Sequence, residues 1–172
     1  MACTDLKREQ TLRHLVNALT EPAAPVRVDA ARALAQMEGE ECALLLRLKA
    51  RVGDSEPSVT GQALEGVLTV ERKQGLPFVA EFLSPTGGEI AEEAALALGA
   101  SRMAAAADLL RNVWDRARDR EFRAVLLRAL SISRQETAVT FLEDLVKNGR
   151  RQDAEDARAA LALIGDSTAK TG

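Results

Sequence analysis

Residues 75–100, GLPFVAEFLSPTGGEIAEEAALALGA, decide the fold that this sequence predicts. They predict two short helices, one opening at Pro77 and one ending at Gly99, with a break at residues 84–88 between them. A helix pair this short cannot bury its own apolar face and must stack on copies of itself. Related pairs recur along the chain, so the sequence predicts an all-α solenoid.

The second helix of each pair carries a repeated spacing of residues. An anchor residue, usually apolar, is followed by a mostly small residue at plus four, by Ala or Gly at plus seven, and by Leu or Val at plus eight. These positions share one helical face, and small side chains at plus seven let helices approach closely. The intervals between successive anchors are 33, 31, 32 and 31 residues, and the anchors are Val26, Val59, Ile90, Phe122 and Asp153.

This period divides the chain into five antiparallel helix pairs. They are predicted at residues 5–37, 40–70, 75–100, 102–132 and 135–164. Together they form a single domain of residues 1–165, and the polar residues 166–172 are expected to be disordered. The last pair has polar residues such as Asp153 and Arg158 at core positions, which is typical of a terminal repeat that no further layer covers.

The pattern also assigns residues to the core and to helix ends. Leu45, Leu48 and Val52 are predicted to face inward, and Trp114 takes the core column of the fourth pair. Two stretches have the spacing of capping boxes, in which a hydroxyl and a carboxylate satisfy the first N–H groups of a helix. The capping boxes are predicted for Thr86 with Glu89 and for Ser133 with Glu136.

Composition and charge exclude several functional classes. The chain has no run of 18 apolar residues, and residues 1–10 lack the apolar region of a secretory signal, so a soluble, cytoplasmic protein without membrane contact is expected. A net charge of −3 argues against nucleic acid as a partner. Cys3, Cys42 and His14 have no metal-site spacing, so no metal or cofactor is expected, and Cys42 is predicted to be a small buried residue. No nucleophile and base are paired at helix spacing, so an enzyme is not expected.

Three runs carry a resemblance to a known family. They are PVRVDAARAL at residues 25–34, VGDSEPSV at residues 52–59 and AALALG at residues 94–99. They resemble the HEAT-like repeats of α-solenoid proteins, in particular the short-period type named after phycobilisome lyases. The family's ladder of Asp and Arg is kept only in part: Asp54, Arg27 and Arg123 match it, whereas Ser84, Thr60, Ala91 and Ala154 do not.

The resemblance implies a right-handed superhelix whose second helices line a concave surface. On these helices the positions opposite the core are plus two, plus six and plus nine, and Leu68 and Leu96 would be exposed apolar residues near the middle. Such a surface suits a peptide or a helix of another protein. The candidate partner-binding residues are Val28, Arg32, Glu65, Leu68, Glu92, Leu96 and Arg128.

The expected function is therefore a non-catalytic scaffold for protein–protein interaction, as a monomer. Two alternatives stay open. Some relatives of this fold attach bilins to proteins and some helical-repeat proteins excise alkylated DNA bases, so a lyase-like or nucleic-acid-processing enzyme is one alternative. The other is an interaction segment of a larger multidomain protein or assembly.

Overall fold

A computed structural model describes residues 2–37 and 39–168 of the chain, with side chains for residues 6–37 and 39–164. The described residues contain helices and no strand, which confirms the all-α prediction. The helices are α1 (Ala2–Ala18), α2 (Ala24–Gln36), α3 (Glu40–Val52), α4 (Pro57–Glu71), α5 (Leu76–Ala80), α6 (Glu89–Ala100), α7 (Ala104–Trp114), α8 (Arg120–Ser133), α9 (Glu136–Asn148) and α10 (Arg151–Thr168). A 3₁₀ turn, Arg72–Gly75, directly precedes α5.

The observed helix bounds follow the predicted ones closely in most pairs. Pro25 and Pro57 both lie in the first turn of their helices, where a residue without an N–H costs no hydrogen bond. Helix α5 is the exception, because it spans only Leu76–Ala80. Helix α10 continues to Thr168, past the end of the predicted last pair, and residues 169–172 of the tail that was expected to be disordered lie outside the described residues.

The chain divides into two compact units, Met1–Gly75 and Leu76–Gly172. In the first unit, α2 packs against α1, α3 and α4. Its core is apolar, and the fully buried side chains include Leu34 of α2, Leu46 of α3, and Leu64 and Val67 of α4. Leu64 and Val67 are three residues apart and therefore lie on the same, buried face of α4.

In the second unit, α8 is the central helix and packs against α6, α7, α9 and α10. Phe122, Leu126 and Leu130 of α8 are buried. Trp114 at the end of α7 is only 8% exposed and meets the Phe141 ring edge-on, with 5.2 Å between ring centroids. The prediction that Trp114 belongs to the core is therefore confirmed.

Both predicted capping boxes are wrong. Helix α6 has Gly88 as its N-cap and no side-chain cap, while the Thr86 hydroxyl pairs with that of Ser84 at 2.7 Å. Gly87 and Gly88 have positive φ values of 78° and 105°, which moves the helix start beyond the reach of Thr86. Ser133 is the last residue of α8, and its hydroxyl donates to the Leu130 carbonyl at 2.6 Å, so it does not cap α9.

Helix length and polarity also bear on membrane contact. Across residues 2–37 and 39–168, every helix is too short or too polar to cross a lipid bilayer.

Candidate protein-binding surface

The predicted partner-binding residues fall into two groups, one in each compact unit. In the first unit, Val28 and Arg32 lie on α2 and Glu65 lies on the adjacent helix α4. The Arg32 guanidinium donates to the Gln62 side chain of α4 at 3.1 Å and pairs with Asp29 at 2.8 Å. Arg32 and Glu65 are exposed and Val28 is half-buried, so this group offers mostly polar side chains.

In the second unit, Glu92 and Leu96 lie on α6 and Arg128 lies on α8. Arg128 is exposed, whereas Glu92 and Leu96 are half-buried. Leu96 is therefore only partly available to a partner, and the group presents mainly its charges.

Leu68 is not a surface residue, which corrects the sequence prediction. Its side chain on α4 is 2% exposed. The same holds for other members of the plus-nine column: Gly99 and Ser131 are also buried. A Cβ at Gly99 would lie 2.4 Å from the Ala129 carbonyl oxygen of α8, so plus nine faces the neighbouring second helix instead of solvent. The side-by-side packing of α6 and α8 buries Gly99, whereas Ala162 of the same column is exposed, and the sequence alone did not reveal that contact.

The outer face of α3 carries three large apolar residues that are exposed, and the sequence analysis placed two of them in the core. Leu44 is 65% exposed, Leu48 is 59% exposed and Val52 is 75% exposed. They are spaced four residues apart and therefore form one line along the helix. We call Leu44, Leu48 and Val52 the α3 stripe.

The prediction that Leu48 and Val52 face inward is wrong, and Leu45 is only half-buried. The inward face of α3 is formed by a different set of apolar residues: Cys42, Ala43, Leu46 and Ala50. Helix α3 thus has apolar residues at helical spacing on two faces, but α4 and α2 cover only one of them. This surplus of apolar residues was the sequence signal for an exposed stripe.

A hollow of about 530 Å³ adjoins the stripe at Leu44. Its walls come from the start of α3 and the end of α4, with Ala43, Arg47, Val70 and Glu71 among the lining residues. Arg47 and Glu71 form a two-bonded ion pair across it, with Nε to Oε1 at 2.8 Å and Nη2 to Oε2 at 2.5 Å. The hollow therefore combines apolar walls with a paired charge and continues the stripe toward the N-terminal end of α3.

The C-terminal end of the stripe is held by a buried ion pair in the loop after α3. The Asp54 carboxylate accepts two bonds from Arg27 of α2 and one from Lys49 of α3, at 2.9, 2.7 and 2.6 Å. It also accepts the Glu56 backbone N–H at 2.9 Å. Hydrogen bonds from Arg27, followed by those from Lys49 and Glu56, outweigh burial and hold the pKa of Asp54 well below its usual range. The loop that begins directly after Val52 is thereby fixed.

Two arginines of the partial Asp and Arg ladder that the family resemblance implies, Arg27 and Arg123, each form an ion pair. Arg27 and Asp54 form one pair between successive helix pairs. Arg123 pairs instead with Asp153 at 3.0 Å, the anchor of the last repeat. Asp153 is mostly buried, so it is covered by an arginine at a position where the sequence analysis expected only solvent.

His14 and Cys42 lie in different surroundings. His14 is exposed, and its Nδ1 lies 2.7 Å from the Gln10 carbonyl within the same helix. Cys42 is fully buried, as predicted, and burial raises the pKa of its thiol, which disfavours the reactive thiolate. Among residues 6–37 and 39–164 no group of three His, Cys, Asp or Glu side chains is arranged to hold a metal ion.

Comparison with protein-family models and with curated proteins found no match for this sequence.

Proposed function

We propose that this protein is a non-catalytic scaffold that binds an amphipathic helix of another protein along the α3 stripe. The observation that carries the proposal is the exposure of Leu44, Leu48 and Val52 in one line on a well-packed helix. Exposed apolar side chains that are contiguous mark interaction sites more often than scattered ones do. This site replaces the concave surface as the main candidate, because the exposed members of that surface are mostly charged.

The shape of the stripe favours a helix as the occupant. Val52 follows Leu44 by eight positions on α3, which corresponds to a distance of about 12 Å along the helix axis, or about two helical turns. A partner helix with apolar residues at the same spacing matches this length, as in other helix-in-groove complexes. A peptide that binds by adding a strand would need an exposed strand edge, and the described part of the chain has no strand.

The magnitude of burial indicates that the stripe is used together with the hollow. Covering three largely exposed Leu and Val side chains contributes roughly 3–6 kcal/mol. Association itself costs at least about 4 kcal/mol in lost freedom. The stripe alone would therefore bind weakly, and an additional side chain of the partner helix placed in the hollow beside Leu44 would supply the remainder.

We also propose that the helix pairs are HEAT-like repeats of a right-handed α-solenoid. The support comes from within each unit: α2 contacts α4 in the first, and α6, α8 and α10 contact one another in succession in the second. A regular 31- to 33-residue period accompanies these contacts. An experimental structure in which the second helices did not follow one another side by side would contradict the repeat assignment.

The function is tested with the variant Leu44→Asp/Leu48→Asp and the control Leu163→Asp, which changes an exposed leucine on α10. Circular dichroism first establishes that both are folded. We expect affinity capture from the native host's lysate to yield a protein with the wild type and the control that the double variant loses. A purified helical segment of that protein should then bind the wild type and not the double variant.

Two outcomes would overturn the proposal. Equal capture by the wild type and the folded double variant would exclude the stripe as the binding surface. Light scattering that showed a wild-type dimer and a monomeric double variant would make the stripe an interface between copies of this chain.

A further inference from the structure

A second site lies in the other compact unit, where the loop between α7 and α8 faces the start of α10. A cleft of about 710 Å³ is found there, and its volume is in the range typical of small-ligand sites. Trp114 and Asp115 form one wall and Arg118 follows in the loop after α7. Arg120 and Arg123 of α8 line the cleft, as do Arg150 just before α10 and residues of the first turns of α10. The sequence analysis did not predict a site at this corner.

One arginine of the cleft is held by three hydrogen bonds and by an aromatic ring. Arg123 of α8 lies over the Trp114 ring with 3.8 Å from its Cζ to the centroid. Its guanidinium donates to the carbonyls of Trp114 and Ala117, at 3.0 and 3.1 Å, and to Asp153 at 3.0 Å. Three of its five N–H groups are used in this way, so Arg123 is fixed in the floor of the cleft.

Three further arginines line the same cleft without a partner. Arg118, Arg120 and Arg150 are exposed, and none of their side chains makes a hydrogen bond or ion pair within the described part of the chain. Their guanidinium groups present forked donors to one space, and like charges held together in this way are relieved by a bound anion. Arg forks match phosphate and carboxylate oxygens with paired hydrogen bonds.

Two helix N-termini add positive potential to the cleft. Helix α8 begins at Arg120 and α10 begins at Arg151, and the lining residues include both starts. The first N–H groups of a helix lack intrahelical acceptors and attract anions. One of these N–H groups in α8 is already satisfied, because the Asp119 carboxylate accepts the Phe122 N–H at 2.8 Å.

Trp114 supplies a further donor without an acceptor. The side chain is 8% exposed, and its indole Nε1 is buried with no hydrogen-bond partner among the described residues. A buried N–H without an acceptor costs free energy, so the ring that forms this wall carries an unsatisfied polar group.

The cleft also contains carboxylates, which restrict the ligand. Asp115 and Asp156 line it without a partner in the described residues, and Asp153 is neutralised by Arg123. Four arginines and three aspartates leave one net positive charge, in a chain whose net charge is −3. A ligand that fits both signs has an anionic group for the arginines and hydrogen-bond donors for the aspartates.

We propose that this cleft binds a phosphate monoester. The phosphate lies between Arg118, Arg120 and Arg150, and the donors of its carrier reach Asp115 and Asp156. The carrier is either a phosphorylated protein side chain or a phosphorylated small molecule such as a hexose phosphate.

The single tryptophan makes the test specific. The sequence contains one Trp and no Tyr, so tryptophan emission and the one indole N–H resonance report on this cleft alone. Inorganic phosphate is titrated first, against sodium chloride at matched ionic strength. We expect a saturable change in emission and in the indole resonance with phosphate and none with chloride.

Charge-matched variants locate the binding. The test variant is Arg118→Gln/Arg150→Gln, and the control is Arg72→Gln/Arg128→Gln, which removes two exposed arginines that do not line the cleft. We expect the affinity to fall by about tenfold for each arginine removed in the test variant and to stay unchanged in the control. Equal weakening in both variants, or an identical response to chloride, would overturn the proposal.

The source of the phosphate is distinguished with a phosphoserine peptide, its unphosphorylated form and a hexose phosphate. Tighter binding of the phosphopeptide than of inorganic phosphate, with no binding of the plain peptide, supports a protein ligand. Tighter binding of the hexose phosphate supports a small molecule. If neither carrier binds more tightly than inorganic phosphate, the assignment to a monoester is wrong.

Discussion

Arg27 of α2 and Asp54 of the loop before α4 form a two-bonded ion pair, with Nε to Oδ2 at 2.9 Å and Nη2 to Oδ1 at 2.7 Å. Both side chains are buried, at 9% and 4% exposure. The second Arg27 terminal nitrogen, Nη1, donates to the carbonyls of Glu21 and Pro22 at 2.8 Å each. One arginine thus ties the loop after α1 to the loop after α3, so the two helix pairs of the first unit are joined by charge as well as by apolar packing.

Replacing Asp54 by Asn should destabilise the protein. The change leaves Arg27 and Lys49 buried without their common anion, and we expect the free energy of unfolding to fall by about 2 kcal/mol or more. Denaturant unfolding measures this. The control is Asp29→Asn, which breaks the exposed pair with Arg32 and should cost less than about 0.5 kcal/mol. Equal losses in the two variants would show that the buried pair contributes no more than a surface pair.

Asp54 should also make stability depend on pH in the acid range. Its pKa in the folded protein is below the usual carboxyl value of about 4, so its contribution is complete above that value and is lost as pH falls through the folded pKa. We expect the free energy of unfolding of the wild type to decrease from about pH 5 downward, and that of Asp54→Asn to decrease less steeply. Parallel pH profiles for the two proteins would contradict this assignment.

Gly99 should tolerate no side chain. A Cβ there would lie 2.4 Å from the Ala129 carbonyl oxygen and 3.0 Å from its Cα, and this backbone cannot move without shifting α8. We expect Gly99→Ala to lower the free energy of unfolding by about 1–3 kcal/mol despite the higher helix propensity of Ala.

Gly66→Ala is the matched control for Gly99→Ala. Its Cβ would meet mainly the terminal methyl groups of Leu46, at 2.9 and 3.1 Å, which can turn aside. The gain in helix propensity, about 1 kcal/mol, offsets much of that contact, so a smaller loss is expected in thermal unfolding. If Gly66→Ala lowered the stability more than Gly99→Ala, the contact between Gly99 and the α8 backbone would not be the closer of the two, which would contradict the prediction.

The orientation of α3 is tested by comparing two leucines of that helix. Leu46 is fully buried and Leu48 is largely exposed. We expect Leu46→Ala to cost about 3 kcal/mol of unfolding free energy and Leu48→Ala to cost less than about 0.5 kcal/mol. If Leu48→Ala cost as much as Leu46→Ala, α3 would be rotated and the stripe would not exist as an exposed surface.

The sequence predicted the helices well because their signals are local. Pro25 and Pro57 fix helix starts through their own backbone geometry, and Gly53 ends α3 with a positive φ of 79° that other residues adopt at a cost. The buried Trp114 was also predicted, since its column in the repeat is otherwise apolar. Such features depend on a few neighbouring residues and are readable without the fold.

The tertiary structure decided which face of each helix is covered. Leu68 and Gly99 share a column that the sequence pattern placed on the outer face, but both are buried, and Gly99 lies against the α8 backbone. Leu48 and Val52 have the spacing of a core face. Helix α3 instead buries the face that carries Cys42 and Leu46, so Leu48 and Val52 remain exposed to solvent. Periodicity gives the angle between residues around a helix, whereas the direction of the core depends on which helices pack against it. The α3 stripe and the arginine cleft beside Trp114 both depend on which helices pack against each other, and the sequence pattern does not contain that information.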